Sequence, residues 1–311
     1  MKMIETVSLT KEYGERRAVD ELSLRVEEGE IFGFLGPNGA GKTTTIRMLT
    51  GLLSPTGGKA TVAGVDAASR PQAVKRIVGV LPESQGYYGW MTGREYLEYF
   101  GSLYKISQAR SRAEELLAAV GLMARARTPV GSYSRGMRQR LGIARAMVHS
   151  PRVLFLDEPS LGLDPRGQRE INELIKTLNK EEGVTIFLSS HLLSEVEGLC
   201  SRFAILRDGR LVAEGDRFEL EGRLGKSRRL RLEVSDPLRA LDLASHVHGI
   251  GEARREGNAL IVNPEEEDST ATLIRVLVEG GVNLYGVQRL APSLEEIFFG
   301  LTEKEHEEAA R

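Results

Sequence analysis

The chain has 311 residues, 41% hydrophobic and 28% charged, with a formal net charge of −2 and one cysteine. That length holds one large domain and a smaller one, and that apolar content can bury a sizeable core. The near-zero charge excludes a global electrostatic pull toward nucleic acid or anionic lipid, and the single Cys200 excludes an internal disulfide. Cys200 reads as a small hydrophobe in reduced, cytoplasmic surroundings. The N-terminal stretch MKMIETVSLTKEYGERR has no apolar h-region, so it reads as no secretory leader. Apolar runs such as VLFL and VTIFL fall far short of the ~20 residues that span a bilayer. Work at a membrane would need a span from another chain.

In chain order, MIETVSLTKEYG alternates partially and turns at Tyr13-Gly14, which reads as an edge strand. ELSLRVEEGE alternates Leu22, Leu24 and Val26 against polar residues, and EIFGFLG reads as a short buried strand. TTTIRMLTGLL places Ile46, Leu49 and Leu53 on one helical face. GGKATVAGVDA predicts short antiparallel strands, and QAVKRIVGVLPES a helix leading into a strand. Helices are predicted around Tyr96, Leu97, Phe100, Leu103 and Tyr104, around Leu116, Leu117 and Val120 with a stop at Gly121, and from Ser134 to Val148. VLFLD and VTIFLSSH read as buried strands, separated by a helix from Gly167 to Glu181. LLSEVEGLC then reads as a helix, and FAILRDGRLVAEG as a hairpin turning at Asp-Gly.

Buried strands alternating with helices predict an α/β core whose sheet is mixed and largely parallel. Around Arg223 the composition shifts: RLGKSRRLR carries five basic residues in nine, read as a solvated linker and strand face. Beyond it the predicted order is strand, helix, strand, strand, helix, strand, that of a ferredoxin-like module. Leu294, Ile297, Phe298 and Leu301 then mark an amphipathic helix, and EKEHEEAAR a polar tail.

Chemistry concentrates at three strand ends. GPNGAGKTT fits G-x-x-x-x-G-K-[ST] between a predicted strand and a predicted helix. The loop runs over Gly36, Pro37, Asn38, Gly39, Ala40, Gly41, Lys42, Thr43 and Thr44, and its backbone N–H groups, of which Pro37 has none, form a nest for phosphate at the positive end of a helix dipole. Lys42 would reach the β- and γ-phosphates and the Thr43 hydroxyl would bind Mg²⁺. VLFLDEP ends a strand at Asp157, placed to hold Mg²⁺, with Glu158 next to it as candidate to polarise an attacking water. His191 ends VTIFLSSH on the ligand side of the sheet. The other four His show no metal-ligand spacing.

Together these motifs resemble those of the nucleotide-binding subunit of an ATP-binding cassette (ABC) transporter, over roughly Met3 to Leu220. The family signature Leu-Ser-Gly-Gly-Gln appears here as Tyr133-Ser134-Arg135-Gly136-Met137, keeping its Ser and second Gly. The resemblance implies that Ser134 and Gly136 meet the γ-phosphate of an ATP on a second subunit. It matches Asp164 to the family's D-loop Asp, with Leu161 where Ser is more usual, and His191 to the switch histidine that orients Glu158 or the water. Tyr13 matches the aromatic that stacks on adenine. Glu83 stands where the family usually has the Gln of its Q-loop; a carboxylate still offers Mg²⁺ a hard oxygen. The GYYGWM aromatics, Tyr87, Tyr88 and Trp90, suit either a docking groove for a partner helix or the core of a helical subdomain.

The implied architecture is a P-loop NTPase domain over 1–222. It comprises an antiparallel β subdomain and a helical signature subdomain at about 90–150. A small α+β module at 223–302 and a tail at 303–311 follow. The implied activity is ATP hydrolysis by a dimer closed around two ATP–Mg²⁺, a homodimer or a pair with a similar subunit. It would be peripheral on the cytoplasmic face of the membrane, powering export through a separate permease and holding no nucleic acid stably. The rival from another class is a soluble ABC ATPase acting on nucleic acid or ribosomes. Such proteins usually carry two cassettes or a coiled-coil insertion, and this chain has one cassette and no heptad run. A GTPase is rejected because Asn179-Lys180-Glu181-Glu182 lacks the Asp of the guanine reader.

Overall fold

The computed structural model describes residues 1–224, 229–290 and 292–300. The chain divides into two compact units, Met1–Arg217 and Phe218–Arg311. The first unit opens with β1 (Lys2–Tyr13), β2 (Arg16–Glu27), β3 (Ile31–Leu35), α1 (Lys42–Leu49), β4 (Gly57–Val62), β5 (Val65–Asp66), α2 (Pro71–Ile77) and β6 (Val78–Leu81). Helices α3 (Gly93–Leu103), α4 (Ala109–Ala119) and α5 (Arg135–Ala146) follow. Then come β7 (Val153–Asp157), α6 (Pro165–Glu182), β8 (Thr185–Ser190), α7 (Leu193–Val196), β9 (Arg202–Arg207) and β10 (Arg210–Gly215).

Two sheets build this unit. The larger has the order β10-β9-β3-β8-β7-β6, parallel from β6 through β9, with β10 antiparallel at its edge. Its central strands are buried on both faces, which is why IFGFL, VLFLD and TIFLSS read as unbroken apolar runs. Phe32, Phe34 and Phe155 all pack on Phe187, with ring centroids 4.9 to 5.7 Å apart. The smaller sheet, order β2-β1-β4-β5, is antiparallel and shares one core with α1 through Met3, Ile4, Leu22, Leu24, Ile46 and Leu49.

β1 is not the edge strand its pattern predicts: it lies between β2 and β4. Its alternation breaks because the register slips against both neighbours around Val7 to Leu9, and Ser8 takes φ +45°. A bulge inserts a residue and shifts the period of 2, so a central strand reads as irregular. The helix expected over LLSEVEGLC is likewise shorter, ending at Val196 before a turn that leads into β9.

Helices α3, α5 and α6 start on local signals. α3 begins in a capping box, the Thr92 hydroxyl accepting from Glu95 N while the Glu95 carboxylate accepts from Thr92 N. α5 begins at Ser134, whose hydroxyl accepts from Met137 N. α6 has Asp164 as N-cap, Pro165 at its first position and Gly183 in the left-handed region past its end. Tyr96 is buried, whereas Trp90 is 75% exposed and stacks only loosely on Tyr88, with centroids 6.2 Å apart. Of the three aromatics read from GYYGWM, Tyr87 is half-buried with its hydroxyl donating to the Arg138 carbonyl, and Tyr88 and Trp90 are exposed.

Helix α8 (Arg217–Leu224) leads to the second unit, which holds β11 (Leu230–Val234), α9 (Pro237–Ser245), β12 (Ile250–Glu256), β13 (Ala259–Pro264), α10 (Glu267–Glu279) and β14 (Leu284–Arg289). All pairings in its sheet, order β12-β13-β11-β14, are antiparallel. Leu230, Leu232, Leu260 and Val262 pack with Ala240, Leu273 and Leu277 in a core of its own. A helical segment at 294–300 carries the buried Leu294 and Ile297. Leu301, the polar tail and residues 225–228 of the basic stretch lie outside the described residues. Of that stretch, Arg229 pairs with Glu296 and Arg231 with Glu256.

Candidate functional site

Three neighbouring parallel strands, β3, β8 and β7, end on the same side, and each is followed by one of the predicted motifs. Register fixes the neighbourhood: Leu35 pairs with Ser190, and Asp157 with Ser189. The loop after β3 leads into α1, and Gly41 at its turn has φ +102°. A methyl added there would lie 2.4 Å from the Ala18 carbonyl oxygen, so only glycine fits this curl. Lys42 is buried beside its own loop. Its Nζ donates to the Gly36 carbonyl at 2.6 Å and the Pro37 carbonyl at 3.3 Å, and lies 3.3 Å from Glu158 Oε1.

The strand ends are laced together by side chains. The Thr43 hydroxyl donates to Asp157 Oδ2 at 2.8 Å, and the Ser189 hydroxyl to Asp157 Oδ1 at 2.5 Å. Glu158 follows with φ +51°, a left-handed conformation that costs a non-glycine residue ~1–3 kcal/mol. Its N–H is held by the Ser189 carbonyl and hydroxyl oxygens, both at 3.2 Å. Its carboxylate points back between two partners, Lys42 on Oε1 and His191 Nδ1 on Oε2 at 2.8 Å. The chain Lys42–Glu158–His191 thus ties all three strand ends together. Burying one carboxylate between a lysine and a histidine keeps it as an acceptor with a fixed direction.

These side chains surround a cleft of about 630 Å³. It collects Tyr13, Asn38, Gly39, Gly41, Lys42, Thr43, Thr44, Glu83, Glu158 and His191 from the predicted set. Asp157 stands behind Thr43 in hydrogen-bond contact. Gly36 and Pro37 turn their carbonyls to Lys42, while Ala40 is buried. Ser134, Gly136 and Asp164 lie outside this cleft; Ser134 and Asp164 cap their own helices. Glu83 also faces a second, smaller cavity with Gln85, Arg138 and Gln139. Leu161, read from sequence as standing where the family more usually has Ser, also lines the cleft; Ser189, Arg16 and Ala18 complete the surroundings and were not singled out from sequence. Ser189 was legible: a hydroxyl at the end of an apolar strand, in register with Asp157, has an acceptor waiting.

Cys200 is the free thiol of the described residues, and burial pushes its pKa up, so it is no nucleophile at neutral pH. No helix among the described residues is long and apolar enough to cross a membrane.

Comparison with known proteins gives a consistent answer. The ABC transporter family matches residues 19–161. The chain is 38% identical over 299 residues to the bacitracin transport ATP-binding protein BcrA of Bacillus licheniformis, covering 96% of this chain and 97% of that one. It is 35% identical over 306 residues to the linearmycin resistance ATP-binding protein LnrL of Bacillus subtilis, covering 96% and 98%. Among solved structures, an ATP-binding subunit of an ABC transporter superposes with a TM-score of 0.64 at 30% identity, over 72% of this chain and 93% of that one. A dimeric ATP-binding cassette in a post-hydrolysis state with ADP and Pi gives 0.62 at 26% identity, over 69% and 98%.

Proposed function

We propose, from the premise that this chain belongs to the ABC transporter family as an ATP-hydrolysing, ATP-binding subunit, that it closes as a dimer around two ATP–Mg²⁺ and powers export by a separate membrane permease. The observation that carries the dimer is the division of the site. Ten predicted residues share one cleft, whereas Ser134 and Gly136 stand outside it on the start of α5. A helix start capped by Ser134, with Gly136 behind it, suits a γ-phosphate presented by a second copy. A methyl on Gly136 would find no atom of this chain nearer than 3.9 Å, so that glycine is not required by this chain's own packing.

Within the cleft the roles follow from the contacts. Lys42 is held by two loop carbonyls and Glu158, and exchanges these for the β- and γ-phosphate oxygens. Thr43, Asp157 and Glu83 offer hydroxyl and carboxylate oxygens, a hard donor set that fits Mg²⁺. The ion, when bound, neutralises charge on the phosphates. Glu158 polarises the attacking water, and His191 fixes the direction of its carboxylate. Tyr13, 51% exposed at the end of β1, presents a ring face for adenine.

The permease reading is supported by the exposed aromatics Tyr88, Tyr99 and Trp90, which follow Glu83 in sequence and offer apolar anchors to a partner helix. Relatives named for bacitracin transport and linearmycin resistance favour export of such compounds; the permease selects the cargo. The proposed domain division is 1–222 and a ferredoxin-like module at 223–302, with a peripheral position at the cytoplasmic membrane face.

Gly136→Asp tests the composite site. The variant is expected to keep its melting temperature and its ATP affinity while ATP turnover falls by about two orders of magnitude, ~2.7 kcal/mol in barrier. Turnover within a few-fold of the unmodified chain would exclude the signature helix from the site.

A further inference from the structure

Two arginines stand side by side at the start of β2, and the structure uses them differently. Arg17 is committed: its Nε donates to Glu12 and its Nη1 to Asp20, each at 2.8 Å. Arg16 has no carboxylate partner among the described residues, and it lines the nucleotide cleft. Its direction follows from the hairpin. Arg16 is the register partner of Tyr13, across the turn at Gly14 and Glu15. Directly opposed residues of an antiparallel pair project from the same face, so Arg16 flanks the ring read as the adenine platform. From there it reaches the phosphate loop, where a methyl built on Gly39 would lie 3.9 Å from Arg16 Nη2.

Charge in the cleft makes this placement informative. The charge of Lys42 is countered by Glu158 at 3.3 Å. The remaining ionisable lining is Glu83, His191 and Arg16, apart from the Tyr13 phenol. The cleft is therefore acidic at the strand ends and basic at the rim above Gly39. A magnesium-bound triphosphate has a matching polarity: the cation belongs at the acidic end, and the stretch between ribose and γ-phosphate needs a positive group elsewhere.

We propose that Arg16 is a nucleotide-binding residue whose guanidinium holds the α/β-phosphate segment from the rim, opposite Lys42. This deepens the reading of the cleft as an ATP site and rests on it. Arg16 grips phosphates that stay with the ADP product. Most of this contact is already made in the ground state, so it acts chiefly on KM and changes kcat little. The contact also makes the site prefer nucleotides that carry at least a diphosphate.

The test is steady-state ATP hydrolysis by the full chain as Arg16→Ala, Arg16→Lys and Arg17→Ala, with melting temperatures and binding of ADP and AMP in parallel. Arg16→Ala is expected to raise KM for ATP about tenfold and weaken ADP equally, with kcat within about twofold, AMP weakened less than ADP and an unchanged melting temperature. Arg16→Lys is expected to recover most of the loss, because it restores the charge. Arg17→Ala is expected to lower the melting temperature and leave KM unmoved. The proposal is overturned if Arg16→Ala leaves KM within about twofold of the parent, if kcat falls in its place, or if it loses stability as Arg17→Ala does. A parent chain that hydrolyses ATP alongside an unmoved KM removes only Arg16 from the site; a parent chain that binds no ATP removes the site itself.

Discussion

At the scale of single residues, the geometry around Glu158 has the least slack. Its backbone is strained, its N–H is pinned by Ser189, and its two carboxylate oxygens face different partners, the Lys42 ammonium and the His191 ring. Glu83 is different in kind. It lines the same cleft with no hydrogen bond or ion pair that fixes its carboxylate, and a glutamine there would still present an oxygen of equal reach. Glu83→Gln is therefore expected to keep ATP turnover within about tenfold, ~1.4 kcal/mol in barrier at most, in a steady-state assay. Complete loss would mean that the charge itself is needed. The residues that sequence placed best are those whose chemistry is local: Lys42 and Thr43 in the loop, Asp157 and Glu158 at a strand end. Arg16 was passed over because its role arises from register across strands, opposite Tyr13, which no linear pattern displays; Ser189 did leave a signal, a hydroxyl at the end of an apolar strand.

At the scale of elements, local signals predicted most starts and stops. Ser134 caps the helix predicted to begin there, and the Asp208-Gly209 turn has both residues at positive φ, as a two-residue hairpin demands; the caps Thr92 and Asp164 were not read from sequence. The central placement of β1 was not legible, because bulges at Val7 to Leu9 erased its period. A second hidden feature is the join between the ends of α3 and α5. His149 stacks on Tyr104 with centroids 4.0 Å and planes 4° apart, and its Nε2 bonds to the Val78 carbonyl. Its Nδ1 is buried without a partner. Burial holds the His149 pKa below its ordinary value, an effect the Val78 carbonyl opposes. A histidine kept neutral in the fold resists a proton that the unfolded chain accepts. Stability is thus full above the unfolded pKa of about 6.5 and falls as pH drops through it, levelling once the folded ring titrates. Thermal melts between pH 7.5 and 5.5 should therefore slope less for His149→Phe, which keeps a ring on Tyr104. An identical slope would assign the acid sensitivity to other groups.

At the scale of the whole molecule, the chain is an ATP-binding cassette followed in sequence by a second folded unit. The division of the nucleotide site is what gives the cassette its proposed behaviour. The loop from Gly36 to Thr44, read alone, promised only phosphate binding. In the proposed reading, Asp157, Glu158 and His191 carry hydrolysis at the same strand ends, and Ser134 and Gly136, outside the cleft, serve a second copy. The C-terminal unit has its own core around Leu232, Leu260 and Leu277, legible from its alternating strands, but its surface carries no motif that names a ligand. The account's central claim is that ATP joins two copies and that Glu158 drives the step that separates them. The direct measurement is the mass in solution of Glu158→Gln with ATP and Mg²⁺, by light scattering on a sizing column. The account predicts a stable dimer that retains ATP and a monomer when nucleotide is removed. A monomer in saturating ATP, with the nucleotide bound, would contradict it.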